Sequence, residues 1–381
     1  MVMNYAEDVD FLKSCQIETL ELSDETPAGA RVCIVPQWQG RVMTSTTRGE
    51  RGAGFGWINR PLIASKSTLP HFNPVGGEER FWLGPEGGPY SFYFAPGAAQ
   101  NYENWRVPAA LDTLPFEVVE ASKRKVRLMQ EVELGNASGH RFRIGIERSI
   151  ELLRPTESEF LRKIPAAGKL DTVIYRSVNR ITNLGEQVWT PQSGAPSIWM
   201  LGMFPPTTST TVFIPYANPG SGEIVRSDYF GAMPANRLRV SPGLVCMRID
   251  GAFRSKIGIP AGRDTGCCGS YDPKAGSITL IRHTRSTEGD RYVDSRWGHQ
   301  DDPFGGDVIN AYNDGPTETG EIMGPFYELE TSSSAAFLQP GASKTHIQEV
   351  YHLTGEPAGL DAVLEAIVPG GAAAVKNAFK L

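Results

Sequence analysis

The stretch VRLMQEVEL at residues 126–134 and its successor FRIGIERSIEL at residues 142–152 decide the fold. Val126, Leu128, Val132 and Leu134 recur at a period of two, and Phe142, Ile144, Ile146, Ile150 and Leu152 repeat it. In extended backbone successive side chains point to opposite faces, so each run reads as a long strand with one face buried. Outward from this pair, β-rich runs follow at 172–181, 211–215, 245–249, 277–282 and 345–353, separated by Gly/Pro/Asn/Asp clusters such as 216–222 and 271–276. Parallel strands would need helices between them, and no helical pattern fills those gaps. Helical spacing is convincing only near the ends, at Val9 and Leu12 and again at Leu360, Val363, Leu364 and Ile367. The expected class is all-β and antiparallel with short terminal helices. No repeat, low-complexity tract or charge block marks a linker. One β domain over residues 1–381 is therefore expected ahead of two smaller sandwiches, with its core at about 16–355 and a helical segment at about 358–381.

Composition narrows the function. Across 381 residues, 40% are hydrophobic and 21% charged, with 41 Gly and 28 Pro, which excludes disorder, collagen and coiled coil. A net charge of −6 offers no basic field for phosphates, so nucleic acid is not an expected partner. No apolar run approaches the roughly 20 residues of a membrane helix, and acidic residues stand where a signal peptide would carry basic ones. The chain as given is expected to be cytoplasmic, with no membrane partner; its oligomeric state is not readable. Five cysteines are too scattered for a disulfide framework, and Cys267-Cys268, with no CxxC or histidine partner nearby, reads as a reduced pair in a Gly-rich turn. P-loops, nucleophile elbows and HExxH are absent, and Gly52–Gly56 precedes no helix of a dinucleotide site, so no cofactor is expected.

Three constellations carry candidate chemistry. The irregular stretch 38–105 holds Gly54–Arg60 and Gly76–Gly88, which combine close-approach glycines, aromatic faces and the directed donors Asn59, Arg60 and Arg80 beside Trp82. Such a set suits a sugar, whose C–H patches stack on rings and whose hydroxyls need charged or amide partners; the same residues also serve to pin a long loop. In Phe326–Thr331, strand geometry puts Glu328 and Glu330 on one face, about 7 Å apart at roughly 3.3 Å per residue. Lining a pocket, they would raise one another's pKa and suit acid–base work; on an open face they would simply be solvated. In Arg291–Asp302, His299 is a candidate acid, and His71 is a second. Asp301, Asp302 and Asp307 match no EF-hand loop, so no metal is expected there. Lys256 is a candidate donor to hydroxyls or a carboxylate.

These landmarks, in this order, resemble the galactose mutarotase-like (aldose 1-epimerase) superfamily. Asn59-Arg60 resembles its Asn-Arg-Ile segment, Gly76-Gly77 its Gly-Gly, and Leu329-Glu330-Thr331 with Pro340-Gly341 its Leu-Glu-Thr strand and Pro-Gly turn. The resemblance implies a large antiparallel β-supersandwich, a monosaccharide or sugar derivative as ligand, Arg60 as a sugar-holding residue and Glu330 as general base. It also marks a departure. The family's histidine before Gly-Gly is Val75 here, and the strand that carries its general acid corresponds to Ser197–Phe204, which has no histidine. Ring opening needs an acid as well as a base. The role would pass to His71, His299, Tyr327 or Lys256. The expectation is a sugar-binding protein with epimerase chemistry on Glu330. A non-catalytic sugar sensor is one alternative, and a lyase or hydrolase on the same fold is another.

Overall fold

The computed structural model describes residues 3–24, 26, 29–217, 221–317 and 319–380; residues 218–220 of the turn expected at 216–222 lie outside them. Ten strands form the largest sheet, in the spatial order Leu238–Ser241, Leu244–Arg248, Thr211–Pro215, Cys267–Asp272, Ser277–His283, Ser343–Thr354, Asp171–Asn183, Arg141–Leu153, Lys125–Gly135 and Glu117–Ala121. Five more run Ser255–Pro260, Asp307–Asn313, Tyr327–Ser332, Ser197–Phe204 and Arg80–Gly84, and a third sheet joins Leu20–Ser23, Arg31–Val35 and Arg41–Thr46. Every pairing between these strands is antiparallel. The molecule is an all-β assembly of antiparallel sheets with short helices at its ends.

Local patterning explains the layering. Arg141–Leu153 buries alternate residues and exposes the rest, as a sheet with one wet face must. Ser197–Phe204 and Tyr327–Ser332 are buried at every position, so the five-stranded sheet is covered on both faces. The main apolar core draws Val32 and Val42, Ile144 and Tyr175, and Trp199 and Ile309 from the three sheets in turn. At the ends, Val9 and Leu12 of the Tyr5–Ser14 helix pack with Val35 and Met43. Leu360, Val363 and Leu364 of the Pro357–Ile367 helix cover Phe213, Leu280 and Leu353 of the ten-stranded sheet.

Two features differ from the sequence expectations. Cys267 and Cys268 open a strand instead of sitting in a turn; both thiols are free, and burial pushes the Cys267 thiol up to about 12 and raises that of Cys268. The stretch 38–105, though irregular overall, supplies Arg41–Thr46 and Arg80–Gly84. Their residues are buried on both sides, which erases the alternation that would have announced them. Just before Arg80, the wholly buried Glu79 ties this strand to the ten-stranded sheet, accepting from the Arg148 guanidinium, from Ser177 Oγ at 3.0 Å and from Gln348 Nε2 at 2.7 Å.

Candidate active site

Register across the five-stranded sheet assembles the site. Lys256 lies opposite Tyr312, Tyr312 opposite Glu328, and Glu328 opposite Met203. One pleat along, Gly258, Asn310, Glu330, Leu201 and Arg80 form the next row, followed by Ser332, Trp199 and Trp82. Directly paired residues share a face, so Arg80, Trp82, Trp199, Lys256, Glu328 and Glu330 project to the same side. The loop after Gly84 closes over them. A Cβ on Gly87 would stand 2.3 Å from the Arg296 carbonyl oxygen, so only glycine lets the 84–88 turn lie against the 295–297 backbone. That approach brings Glu86 within reach of the Trp297 indole, which favours its carboxylate against burial.

Glu330 is fully buried. Its Oε2 accepts from Lys256 Nζ at 2.9 Å and Trp199 Nε1 at 3.0 Å, while Oε1 has no hydrogen-bond partner among the described residues. Arg80 Nη2 stands 2.8 Å from Glu328 Oε1 without the alignment of a full hydrogen bond. The guanidinium carbon lies 4.5 Å above the Trp82 ring and 5.1 Å above Phe72, so ring faces take up charge that hydrogen bonds leave over. Lys256 Nζ likewise sits 5.1 Å over Trp199 and 5.7 Å over Tyr229. Trp82 meets Trp199 edge to face at 5.6 Å.

The electrostatics follow from crowding carboxylates out of water. Burial pushes Glu328 up to about 7; Arg80 opposes this and the neighbouring Glu330 charge adds to it. Burial also raises Glu86, against the pull of Lys256 and with the push of Glu330. Burial works against the Lys256 ammonium, but Glu330 and Glu86 outweigh it and raise its pKa. Beside this cluster, Asp307 is pushed up to about 6 by burial, against Arg226; it accepts from the Tyr229 hydroxyl, to which Asn310 Nδ2 donates at 3.2 Å. The set therefore holds a carboxylate oxygen with no donor, a second carboxyl that titrates near neutrality, two cations and three indoles.

The remaining sequence candidates stand elsewhere. Asn59 caps the Arg60–Ser65 helix, accepting from Leu62 N at 3.2 Å. Arg60 Nη2 donates to Asp8 Oδ1 at 2.6 Å and its guanidinium covers Phe11 at 4.4 Å, so it holds the N-terminal helix in place. The early guanidinium that meets the late carboxylates is Arg80. His71 bonds the Trp105 carbonyl oxygen at 2.8 Å and stacks on Tyr102 at 4.5 Å. His299 is 89% exposed beside Asp301, and neither histidine shares a hydrogen-bond partner with Glu330. Asp301 faces solvent, Asp302 pairs with Arg291 at 2.6 Å and Asp307 faces Tyr229; among the described residues no three His, Cys, Asp or Glu side chains are arranged to hold a metal. Trp199, Glu86, Trp297 and Tyr229 were not anticipated, and Asp307 was weighed only as a cation ligand. For Trp199 the usable signal was its place on a strand that pairs both with Trp82 and with the carboxylate strand. Two open hollows, of about 350 and 370 Å³, lie away from the cluster, around Phe337 and Lys344 and around Phe142 and Trp189.

Solved structures share this fold. The Slr1438 protein of Synechocystis sp. PCC 6803 superposes with a TM-score of 0.53 at 15% identity, covering 89% of this chain and 96% of its own. An Escherichia coli K12 protein described as a candidate aldose 1-epimerase gives 0.50 at 12% identity, covering 88% and 99%. At these identities the likeness is one of fold, and the fold is galactose mutarotase-like. No curated protein matches the sequence. The chain belongs to a family of unknown function, DUF6786, whose model matches residues 3–379.

Proposed function

We propose that this protein binds a monosaccharide or sugar derivative at the Arg80–Glu328–Glu330–Lys256 cluster and moves protons on it. Glu330 serves as base and Glu328 supplies the acid in place of the family histidine. The carrying observation is the free Oε1 of the wholly buried Glu330, on the same strand face as a carboxyl that titrates near 7. A base of this kind takes the anomeric hydroxyl proton, an acid near its midpoint returns one to the ring oxygen, and each typically contributes about 10²–10⁴-fold. Arg80 and Lys256 supply hydroxyl donors, and the half-exposed Trp297 ring supplies a stacking face near Glu86. The net charge of −6 suits a small neutral or cationic ligand better than nucleic acid. The reading treats the chain as one domain, supported by a core common to all three sheets. No described helix is long and apolar enough to cross a membrane; a cytoplasmic location is part of the proposal.

Exchange spectroscopy by NMR on a panel of aldoses tests this. Wild type is expected to interconvert anomers faster than Glu330→Gln by 10²-fold or more; equal rates across the panel would remove the chemistry. A second reading, sugar binding without turnover, is favoured by one observation: among the described residues no imidazole hydrogen-bonds Glu330. It predicts saturable binding weakened by Trp82→Ala or Arg80→Ala, with anomers exchanging at the uncatalysed rate.

A further inference from the structure

The hollow around Phe337 and Lys344 lies outside the cluster, and no side chain of the cluster lines it. Its volume, about 350 Å³, stands at the lower end of the range for small-molecule sites, about 300–1,000 Å³. Asp290, Arg291, Ser334 and Lys344 form a polar wall, and Phe337 and Leu338 an apolar one. On the polar wall the carboxylate is already met. Asp290 Oδ2 accepts from the Thr287 backbone N–H and hydroxyl, each at 2.8 Å, and Oδ1 accepts from Ser334 Oγ at 2.8 Å. The lysine is not. Lys344 Nζ donates to the same Ser334 Oγ and stands 4.0 Å from Asp290 Oδ1, close enough for attraction but too far for a hydrogen bond. An ammonium carries three donors, so two of them have no partner among the described residues, on a side chain 30% exposed. Arg291 is engaged: its Nη2 donates to Asp302 Oδ1 at 2.6 Å, and its guanidinium carbon lies 5.1 Å over the Phe304 ring. The polar wall therefore offers donors and no open carboxylate oxygen.

The apolar wall is held in place. Phe337 is 38% exposed, and its ring stands edge to face on Phe304 at 5.1 Å, on which Tyr90 stacks at 5.7 Å. A ring propped in this way presents a fixed apolar face beside the ammonium. We propose that this hollow binds a small aromatic carboxylate. An ionised carboxylate accepts and never donates, so it takes the two spare donors of Lys344, and its ring lies against Phe337 and Leu338. A hydroxyl or amide head brings a donor of its own, which this wall has no open carboxylate to receive. The site stands apart from the carbohydrate reading and does not depend on it, because the two share no residue.

The test titrates the full chain with phenylacetate, phenylacetamide and acetate, read by ligand-observed NMR at about pH 7, where the acids are ionised. Phenylacetate is expected to bind about ten-fold more tightly than the amide, which lacks the charge, and than acetate, which lacks the ring. Lys344→Gln is expected to bring phenylacetate down to the amide, and Phe337→Ala to bring it down to acetate. Both side chains are partly exposed, and unfolding curves that match wild type show that each variant is folded. Equal binding of phenylacetate and its amide, a preference for the acid that survives Lys344→Gln, or no saturable binding of phenylacetate to wild type overturns the proposal.

Discussion

Glu79 and Arg80 are neighbours in sequence and anchor two buried charge clusters that differ in one respect. In the first, both oxygens of Glu79 are engaged, Oε1 by Arg148 and Oε2 by Ser177 and Gln348, so nothing is left for a ligand. In the second, Arg80 faces Glu328 and Lys256 faces Glu330, and Glu330 Oε1 is unmet. A buried carboxylate with both oxygens met holds sheets together, even though Nε and Nη1 of its Arg148 partner stay unmet; one with an unmet oxygen stores a demand that a ligand can fill. Burial alone does not separate structural charge from functional charge, since Glu79 and Glu330 are equally inaccessible. Counting the donors that reach each carboxylate oxygen does.

The largest effect is expected in the saturated cluster. Arg148→Met strands a buried carboxylate, and unfolding in urea should show a loss of about 3–5 kcal/mol. Adding Glu79→Leu to it should recover much of that loss, because the uncompensated charge is then gone. A single variant that costs less than about 1 kcal/mol would mean the two clusters do not differ as described.

The unsaturated cluster should answer with the opposite sign. Glu328 is pushed up to about 7 from an ordinary value of 4.5, so between those limits the folded protein holds a proton that the unfolded chain has released. Stability from this group is full below about 4.5 and is lost as the pH rises through 7. Glu328→Gln fixes the neutral form. The variant should therefore match wild type near pH 5 and exceed it by about 1–3 kcal/mol at pH 8, read from paired urea curves. A variant less stable than wild type at pH 8 would put Glu328 in the structural class with Glu79.

Much of this was legible from the sequence, and the boundary has a physical cause. Val126–Leu134 and Phe142–Leu152 lie on a sheet with one wet face, so alternation survives in the residues themselves. The pairing of Glu328 with Glu330 on one face needs only the two-residue period, and Arg80 and Trp82 share it. What sits across the sheet does not follow from any local pattern. Trp199 lies in a strand buried on both faces, where apolar residues run without a break, and Glu86 reaches the site through a loop set by the glycine contact at Gly87. Those neighbours depend on register and loop closure, which single-chain spacing does not encode.

Arg60 supplies the mildest test, and it separates motif position from geometry. The Asn-Arg landmark implied a sugar-holding guanidinium at Arg60, yet this side chain spans Asp8 and Phe11 and is partly open to water. Asp8 is largely buried, and burial raises its pKa even with Arg60 drawing it down. Removing the guanidinium should therefore cost some stability through the helix it holds, about 1 kcal/mol for a pair whose guanidinium is partly open to water. Its effect on the cluster around Glu330 should be slight, because no partner is common to the two sites. Measured on the same sugar, Arg60→Ala should shift the dissociation constant less than two-fold, and Arg80→Ala ten-fold or more. If the order were reversed, the ligand would lie against the N-terminal helix, and the unsaturated carboxylates would need another occupant.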